Sequence, residues 1–167
     1  MSQSQIIRET FEKNGGIFKL IPTFVPRNNS QPGKRLRLHP DDYFALGTAR
    51  GPMKERWFSS VIQAANGPLA APDEGMSYVS YGTTPEEKFL LKDAELIGEE
   101  FLKKYGTWPM YAKFFDNELP LFHHLHLDFD AAARIGWQGK PEAYYFPRQY
   151  NNYPGRFPVT YFGFDPD

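Results

Sequence analysis

The chain contains no cysteine among its 167 residues. This absence excludes disulfide bonds, cysteine-based zinc and iron–sulfur sites, and thiol nucleophiles. Charges of one sign do not predominate either, because 19 lysines and arginines are balanced by 20 aspartates and glutamates, for a net charge of −1. A balanced charge gives no electrostatic support for binding to a nucleic acid or to an anionic membrane. We therefore expect neither as a partner.

Long apolar runs are absent as well. No stretch of the sequence approaches the roughly 18 apolar residues of a membrane-spanning helix. Residues 1–7 are too polar for a signal peptide. These two features predict a cytoplasmic protein.

Aromatic residues are abundant, at 17% of the chain, and they are accompanied by 15 prolines and 14 glycines. This composition favours strands and turns over a helical bundle. A chain of this length is the size of one ordinary domain, and we predict a mainly β fold with one long helix and short helical turns. The long helix is expected over 93–105, with Asp93 as its N-cap and Gly106 at its end. Strands are predicted at residues 17–21, 57–62, 77–81, 111–115, 122–127, 143–146 and 159–164, and residues 22–33 are predicted to form a loop.

Three of the four histidines lie within four residues, at His123, His124 and His126. Side chains alternate faces along a strand, so His124 and His126 would point the same way and His123 the opposite way. Glu142 follows after a turn that Gly136 is expected to end. Two imidazoles and a carboxylate suit zinc, iron, manganese or nickel rather than calcium. The pattern predicts a divalent metal site made of His124, His126 and Glu142.

The segment around these residues resembles class I mannose-6-phosphate isomerases, which are metal-dependent cupins. That family carries Gln-x-His-Pro, a short helix, Lys-Pro-Glu or Lys-Thr-Glu, a strand, and then Gly-Phe. In the same order this chain has His124-Leu125-His126-Leu127, Ala131 to Ile135, Gly139-Lys140-Pro141-Glu142, Ala143 to Phe146, and Gly163-Phe164. Upstream, Glu55-Arg56-Trp57 and Asn66-Gly67-Pro68 are similar to early elements of the family, so the resemblance covers roughly residues 50–165.

The resemblance implies a cupin jelly-roll β-sandwich in a single domain, 1–167. Residues 1–50 would form an N-terminal extension and loops, and residues 51–167 the cupin-like segment. The activity implied is the aldose–ketose isomerisation of a sugar phosphate. The partner would then be a phosphosugar or sugar, and the cofactor a divalent metal, with zinc preferred over manganese or iron. A homodimer is left open.

The same resemblance implies roles for individual residues. His124, His126 and Glu142 would be metal ligands, and Lys140 and Lys113 would face the substrate as catalytic residues. No residue of the chain is assigned as the base.

The chain departs from the family pattern in several places. His124 stands where the family has Gln, Leu127 stands where it has Pro, and the family's last metal-ligand histidine has no counterpart. We therefore expect the chain to be the N-terminal portion of a longer isomerase-like protein. Two other functions stay open: a non-catalytic sugar-binding or regulatory cupin, and an Fe(II) cupin oxygenase that uses two histidines and one carboxylate.

A second motif competes with the first inside the chain. His39-Pro40-Asp41-Asp42, followed by Glu55, also resembles the sequence motif of this family. However, Arg37 stands two residues before His39, and a cation there would repel a metal. We rank this site second. Asp128 could extend the first site, but we expect it to cap the short helix that begins near Phe129.

Overall fold

The computed structural model describes residues 1–21, 23–92, 94–147 and Gly163. The chain divides into two compact units, Met1–Glu118 (the N-terminal unit) and Leu119–Asp167 (the C-terminal unit). No helix among the described residues is long and apolar enough to cross a membrane. The helices and strands, in chain order, are α1 (Gln3–Lys13), β1 (Leu20–Ile21), β2 (Thr23–Pro26), β3 (Met53–Phe58), β4 (Tyr78–Ser80), β5 (Lys88–Leu90), α2 (Ala94–Ile97), α3 (Glu99–Tyr105), β6 (Ala112–Phe115) and α4 (Phe129–Ala133), with short 3-10 helices at Pro40–Phe44, Thr48–Arg50 and Gly67–Leu69.

One antiparallel sheet of the N-terminal unit has the strand order β1-β4-β5. Alternation along β4 and β5 turns Val79 and Phe89 inward, where they pack with Ile7 of α1 and with Leu91. Helix α1 begins with a capping box, in which Ser2 and Gln5 exchange side-chain and backbone hydrogen bonds. The apolar face of α1 therefore covers this sheet.

The second antiparallel sheet of the N-terminal unit has the order β2-β3-β6. Val25 and Trp57 are buried on one of its faces together with Ala64, and the ring of Tyr111 stacks on Trp57. The register between β2 and β3 shifts at Val25/Pro26. Such a bulge accommodates a proline, because proline has no N–H to donate to the ladder.

The β-rich prediction is confirmed at the level of two small antiparallel sheets. Strands β4 and β6 lie where the sequence predicted them, and β1 is shorter than predicted. The strand expected over 57–62 lies instead at Met53–Phe58. Two strands were missed: β5, and β2, which lies within the predicted loop over 22–33. The prediction for 159–164 falls outside the described residues except at Gly163.

The long helix predicted over 93–105 is divided into α2 and α3. The break lies at Gly98, whose φ is 86°, a conformation that an L-residue within a helix does not adopt. The expected end is confirmed, because Gly106 is left-handed and its N–H donates to the carbonyl of Leu102 at 2.7 Å. The predicted cap, Asp93, lies outside the described residues.

In the C-terminal unit the strand predictions for 122–127 and 143–146 were wrong. Both segments are irregular, and neither pairs with a strand of the described residues. Residues 122–127 and 143–146 are exposed throughout, so neither segment has the buried face that a strand of a sheet would provide. The regular element here is the short helix α4, in which Ala132 is buried.

Candidate metal centre

The site is built on a local turn of the C-terminal unit, centred on α4. Asp128 caps this helix, because its carboxylate accepts a hydrogen bond from the N–H of Ala131 at 2.7 Å. At the other end, the N–H of Trp137 donates to the carbonyl of Ala132 at 2.9 Å and that of Gly136 to the carbonyl of Ala133 at 3.1 Å. This pair of bonds ends the helix and reverses the chain.

The reversed chain returns against the start of α4 at Gly139. A Cβ atom on Gly139 would lie 2.6 Å from the backbone nitrogen of Phe129, so only glycine allows this approach without a shift of the backbone. One residue later, the N–H of Lys140 donates to the carbonyl of Leu127 at 3.2 Å. These two contacts bring the segment that carries His126 beside the segment that carries Glu142.

His124, His126 and Glu142 meet at this junction, as the sequence predicted. One ligand atom from each lies within 4.8 Å of the others, and the two imidazole rings lie 5.0 Å apart, edge to face. Within the part of the chain that the structure describes, this is the one group of three or more histidine, cysteine or carboxylate side chains so arranged. We call these three residues the His–Glu cluster.

One distance within the His–Glu cluster matches the separation of two ligands of a small divalent ion. Nε2 of His126 lies 3.3 Å from Oε2 of Glu142. With zinc bonds of roughly 2.0–2.1 Å, two ligands at a tetrahedral angle are about 3.3–3.4 Å apart. The observed separation therefore matches one edge of a tetrahedral zinc site.

The hydrogen bonding of His124 also fits a ligand. Its Nδ1 lies 2.9 Å from the carbonyl oxygen of Phe122. A carbonyl can only accept, so in this bond Nδ1 carries the proton and Nε2 keeps its lone pair. Histidine ligands of metals usually donate their other N–H in this way, which fixes the tautomer and the orientation of the ring.

Glu142 is the centre of the local charge network. Nζ of Lys140 lies 2.9 Å from its Oε1, and the hydroxyl of Tyr144 donates to its Oε2 at 3.2 Å. Burial raises the pKa of Glu142, but the hydrogen bond and charge of Lys140, with His126 and Tyr144, outweigh burial and hold this pKa below its ordinary value. The carboxylate is therefore ionised at neutral pH, as a metal ligand must be.

Tyr144 is a site residue that the sequence pattern did not identify. Its hydroxyl contacts Glu142, the predicted metal ligand. Burial, followed by the charge and hydrogen bond of Glu142, raises the pKa of Tyr144. The signal available in the sequence was its position two residues after Glu142, which in an extended segment turns both side chains the same way.

Lys113, the other predicted catalytic lysine, belongs to the N-terminal unit. Its Nζ lies 3.5 Å from Oε2 of Glu55 and 4.2 Å from the ring centre of Phe115. Glu55 also accepts from Nε of Arg27 at 2.9 Å and from the indole of Trp57 at 2.7 Å. The contacts of Lys113 are thus those of a buried ion-pair network, and its role towards a substrate stays a prediction.

The remaining predicted residues lie outside the His–Glu cluster. His39 accepts from the backbone N–H of Asp41 at 3.4 Å and starts a 3-10 helix, while Glu55, its proposed partner, belongs to the network with Arg27. Asp128 is confirmed as a helix cap. His123 is exposed and does not belong to the cluster.

Comparison of the chain with known protein families, with curated proteins and with solved structures finds no match.

Proposed function

We propose that the chain is a metal-dependent isomerase that interconverts the aldose and ketose forms of a sugar phosphate, similar to class I mannose-6-phosphate isomerases. The observation that carries this proposal is the His–Glu cluster, with two imidazoles and one ionised carboxylate within 4.8 Å and a lysine beside them. Its donor atoms suit zinc, with manganese or iron as alternatives.

We also propose that the fold is a cupin jelly roll. The supporting features are two three-stranded sheets in which every pairing is antiparallel. A jelly roll contains two antiparallel sheets packed face to face. The strand order within each sheet is compatible with parts of such a sandwich.

The chemistry follows from the charges around the cluster. A bound divalent ion would supply a Lewis acid for the negative charge that develops on the sugar oxygens during proton transfer. Lys140, whose ammonium lies 2.9 Å from Glu142, would donate hydrogen bonds to those same oxygens once the ion has taken its place at the carboxylate. Tyr144 would hold the Glu142 carboxylate in position through the bond to Oε2.

Elemental analysis of untagged protein tests the proposal first. We expect about one zinc, manganese or iron per chain in the wild type, lost in His126→Ala and kept in His123→Ala, which removes a neighbouring imidazole outside the cluster. A coupled assay with mannose 6-phosphate then tests turnover. Folded wild-type protein without stoichiometric metal would refute the isomerase proposal, and metal without turnover of any phosphosugar would favour a binding or regulatory cupin.

An Fe(II) oxygenase is the second candidate. The observation that favours it is the donor set itself, because two histidines and one carboxylate with open positions are typical of non-haem iron oxygenases. This candidate predicts iron loading and oxygen consumption without ketose formation. The lysine beside Glu142 favours the isomerase, because a cation near the reacting oxygens stabilises negative charge.

A further inference from the structure

Lys140 contacts two of the three residues of the His–Glu cluster with a single ammonium group. Its Nζ lies 2.9 Å from Oε1 of Glu142 and 3.3 Å from Nε2 of His126. A cation of this chain therefore already lies at the donor atoms that a metal ion would use.

The contact with His126 involves the same ring nitrogen that a metal ion would bind. An ammonium can only donate, so the 3.3 Å contact is a hydrogen bond in the neutral tautomer of His126 whose Nε2 carries no proton, and it then uses the ring lone pair. A metal ion needs the same lone pair for coordination. His126 cannot serve both at once, and Coulomb repulsion between the ammonium and a divalent ion adds to the conflict.

Glu142 is affected in the same way. Of its two oxygens, Oε1 accepts from Lys140, while Oε2 accepts from Tyr144 and faces His126. A metal that binds Oε1 must replace the ammonium there, and one that binds Oε2 lies beside it. Both arrangements weaken the ion pair between Lys140 and Glu142.

We propose that Lys140 is an internal competitor that occupies the His–Glu cluster and that a metal ion must displace in order to bind. This inference rests on the metal site of the proposed function and assigns Lys140 the role of setting its affinity and its selectivity. Zinc bonds strongly to imidazole and compensates for the lost ion pair, whereas magnesium and calcium prefer oxygen ligands and gain little from His126.

The surroundings of Lys140 allow the displacement. Its side chain is 37% exposed, so water can solvate the ammonium once it leaves the cluster. Its backbone is held separately, by the hydrogen bond from its N–H to the carbonyl of Leu127. A substitution of the side chain therefore leaves the chain reversal that positions His126 and Glu142 in place.

Zinc titration of chelator-stripped protein by calorimetry tests the proposal. Lys140→Met removes the ammonium and keeps the length of the side chain, and we expect it to bind zinc roughly tenfold more tightly, the equivalent of one charge-assisted hydrogen bond. Lys140→Arg keeps the cation and should stay close to the wild type. Lys103→Met, an equal change of net charge on an exposed residue of α3 in the other unit, should also have no effect.

Chemical labelling gives a second measurement on the unmodified sequence. Acetylation of Lys140 by an N-hydroxysuccinimide ester, read by peptide mass spectrometry, should increase several-fold when zinc is added, because the ion displaces the ammonium into solvent. Labelling of Lys103 should not change. Protection of Lys140 by zinc would overturn the proposal, even if Lys140→Met failed to fold.

The outcomes separate this inference from the proposed function. Zinc binding by the wild type that is lost in His126→Ala but is no tighter in Lys140→Met would overturn the competition and keep the metal site. Absence of zinc binding in both the wild type and Lys140→Met would overturn the metal site and the competition together. Tight binding in Lys140→Met alone would support the competition most directly.

Discussion

The carboxylate of Asp128 lies 2.7 Å from the backbone nitrogen of Ala131 and caps helix α4. A helix cap contributes about 1 kcal/mol to the stability of a helix, and this one stabilises the chain reversal between His126 and Glu142. We expect Asp128→Ala to weaken zinc binding roughly fivefold, as about 1 kcal/mol of pre-organisation is lost. Asp128→Asn, which caps equally well, should bind like the wild type. Equal loss in both variants would instead indicate that Asp128 acts through its charge, as a ligand.

The cap and the cluster show what the sequence could and could not predict. Asp128 as a cap and Gly136 as a helix stop were predicted correctly because local rules place them, and the spacing of donor types was enough to group His124, His126 and Glu142. The reason given for the meeting of His124 and His126 was wrong, since they lie in an irregular segment and not on one face of a strand. The histidines meet Glu142 because of a close approach at Gly139, which no periodic pattern encodes.

The fold shows the same limit. Val79 and Tyr111 lie in or beside strands whose alternation is visible in the sequence, and these strands were predicted correctly. Strand β2 was missed because the prolines at positions 22, 26 and 32 indicated a loop, although a bulge at Pro26 lets β2 pair at an irregular register. The break at Gly98 was missed because the apolar stripe continues across it, and periodicity does not register one left-handed residue.

Substitution of Glu142 by Gln tests its role as a ligand. The change keeps the size and removes the charge that a divalent ion requires, so metal content and any isomerase activity of the kind proposed should fall together. We expect at least a tenfold loss of zinc affinity, comparable to the loss of one charge-assisted interaction. Metal retained with activity lost would identify Glu142 as a base rather than a ligand.

Substitution of Gly139, the glycine at the chain reversal, should also weaken zinc binding. In Gly139→Ala the new methyl group would lie 2.6 Å from the nitrogen of Phe129 and 2.9 Å from the carbonyl carbon of Asp128, and backbone atoms cannot move aside cheaply. Such overpacking destabilises a protein by roughly 1–3 kcal/mol. We expect zinc affinity to fall because Lys140 moves away from Leu127, which separates the segments that carry Glu142 and His126. Gln138→Ala, an exposed neighbour, is the matched control and should bind normally.

Tyr144 should make a smaller contribution to zinc affinity than the ligand residues, but a measurable one. Tyr144→Phe deletes the hydroxyl that donates to Oε2 of Glu142 and keeps the ring. One such hydrogen bond contributes about 1 kcal/mol, so we expect zinc to bind roughly fivefold more weakly. Tyr145→Phe removes a hydroxyl from the adjacent residue, which is 86% exposed, and should change nothing. Equal affinities in the two variants would exclude a positioning role for Tyr144.

The buried network of the N-terminal unit gives a prediction about acid stability. Burial raises the pKa of Glu55, but Lys113, Arg27 and Trp57 outweigh burial and hold this pKa below its ordinary value. A carboxyl whose pKa is lower in the folded state stabilises the fold at neutral pH, and this contribution disappears as the pH falls through the folded pKa. The N-terminal unit should therefore lose stability on acidification below the ordinary range of a glutamate.

Glu55→Gln isolates this contribution, since an amide does not titrate. We expect the variant to lose about 2 kcal/mol at pH 7, less than for a fully buried pair because Arg27 and Lys113 keep some contact with water. Urea unfolding can be followed by tryptophan fluorescence in a Trp137→Phe background, so that Trp57 and Trp108 report on the N-terminal unit. The difference in unfolding free energy between the wild type and Glu55→Gln should narrow as the pH falls. Glu99→Gln, an exposed control on α3, should have the same unfolding free energy as the wild type. A gap that is constant with pH would mean that Glu55 stabilises the unit through packing rather than through its charge.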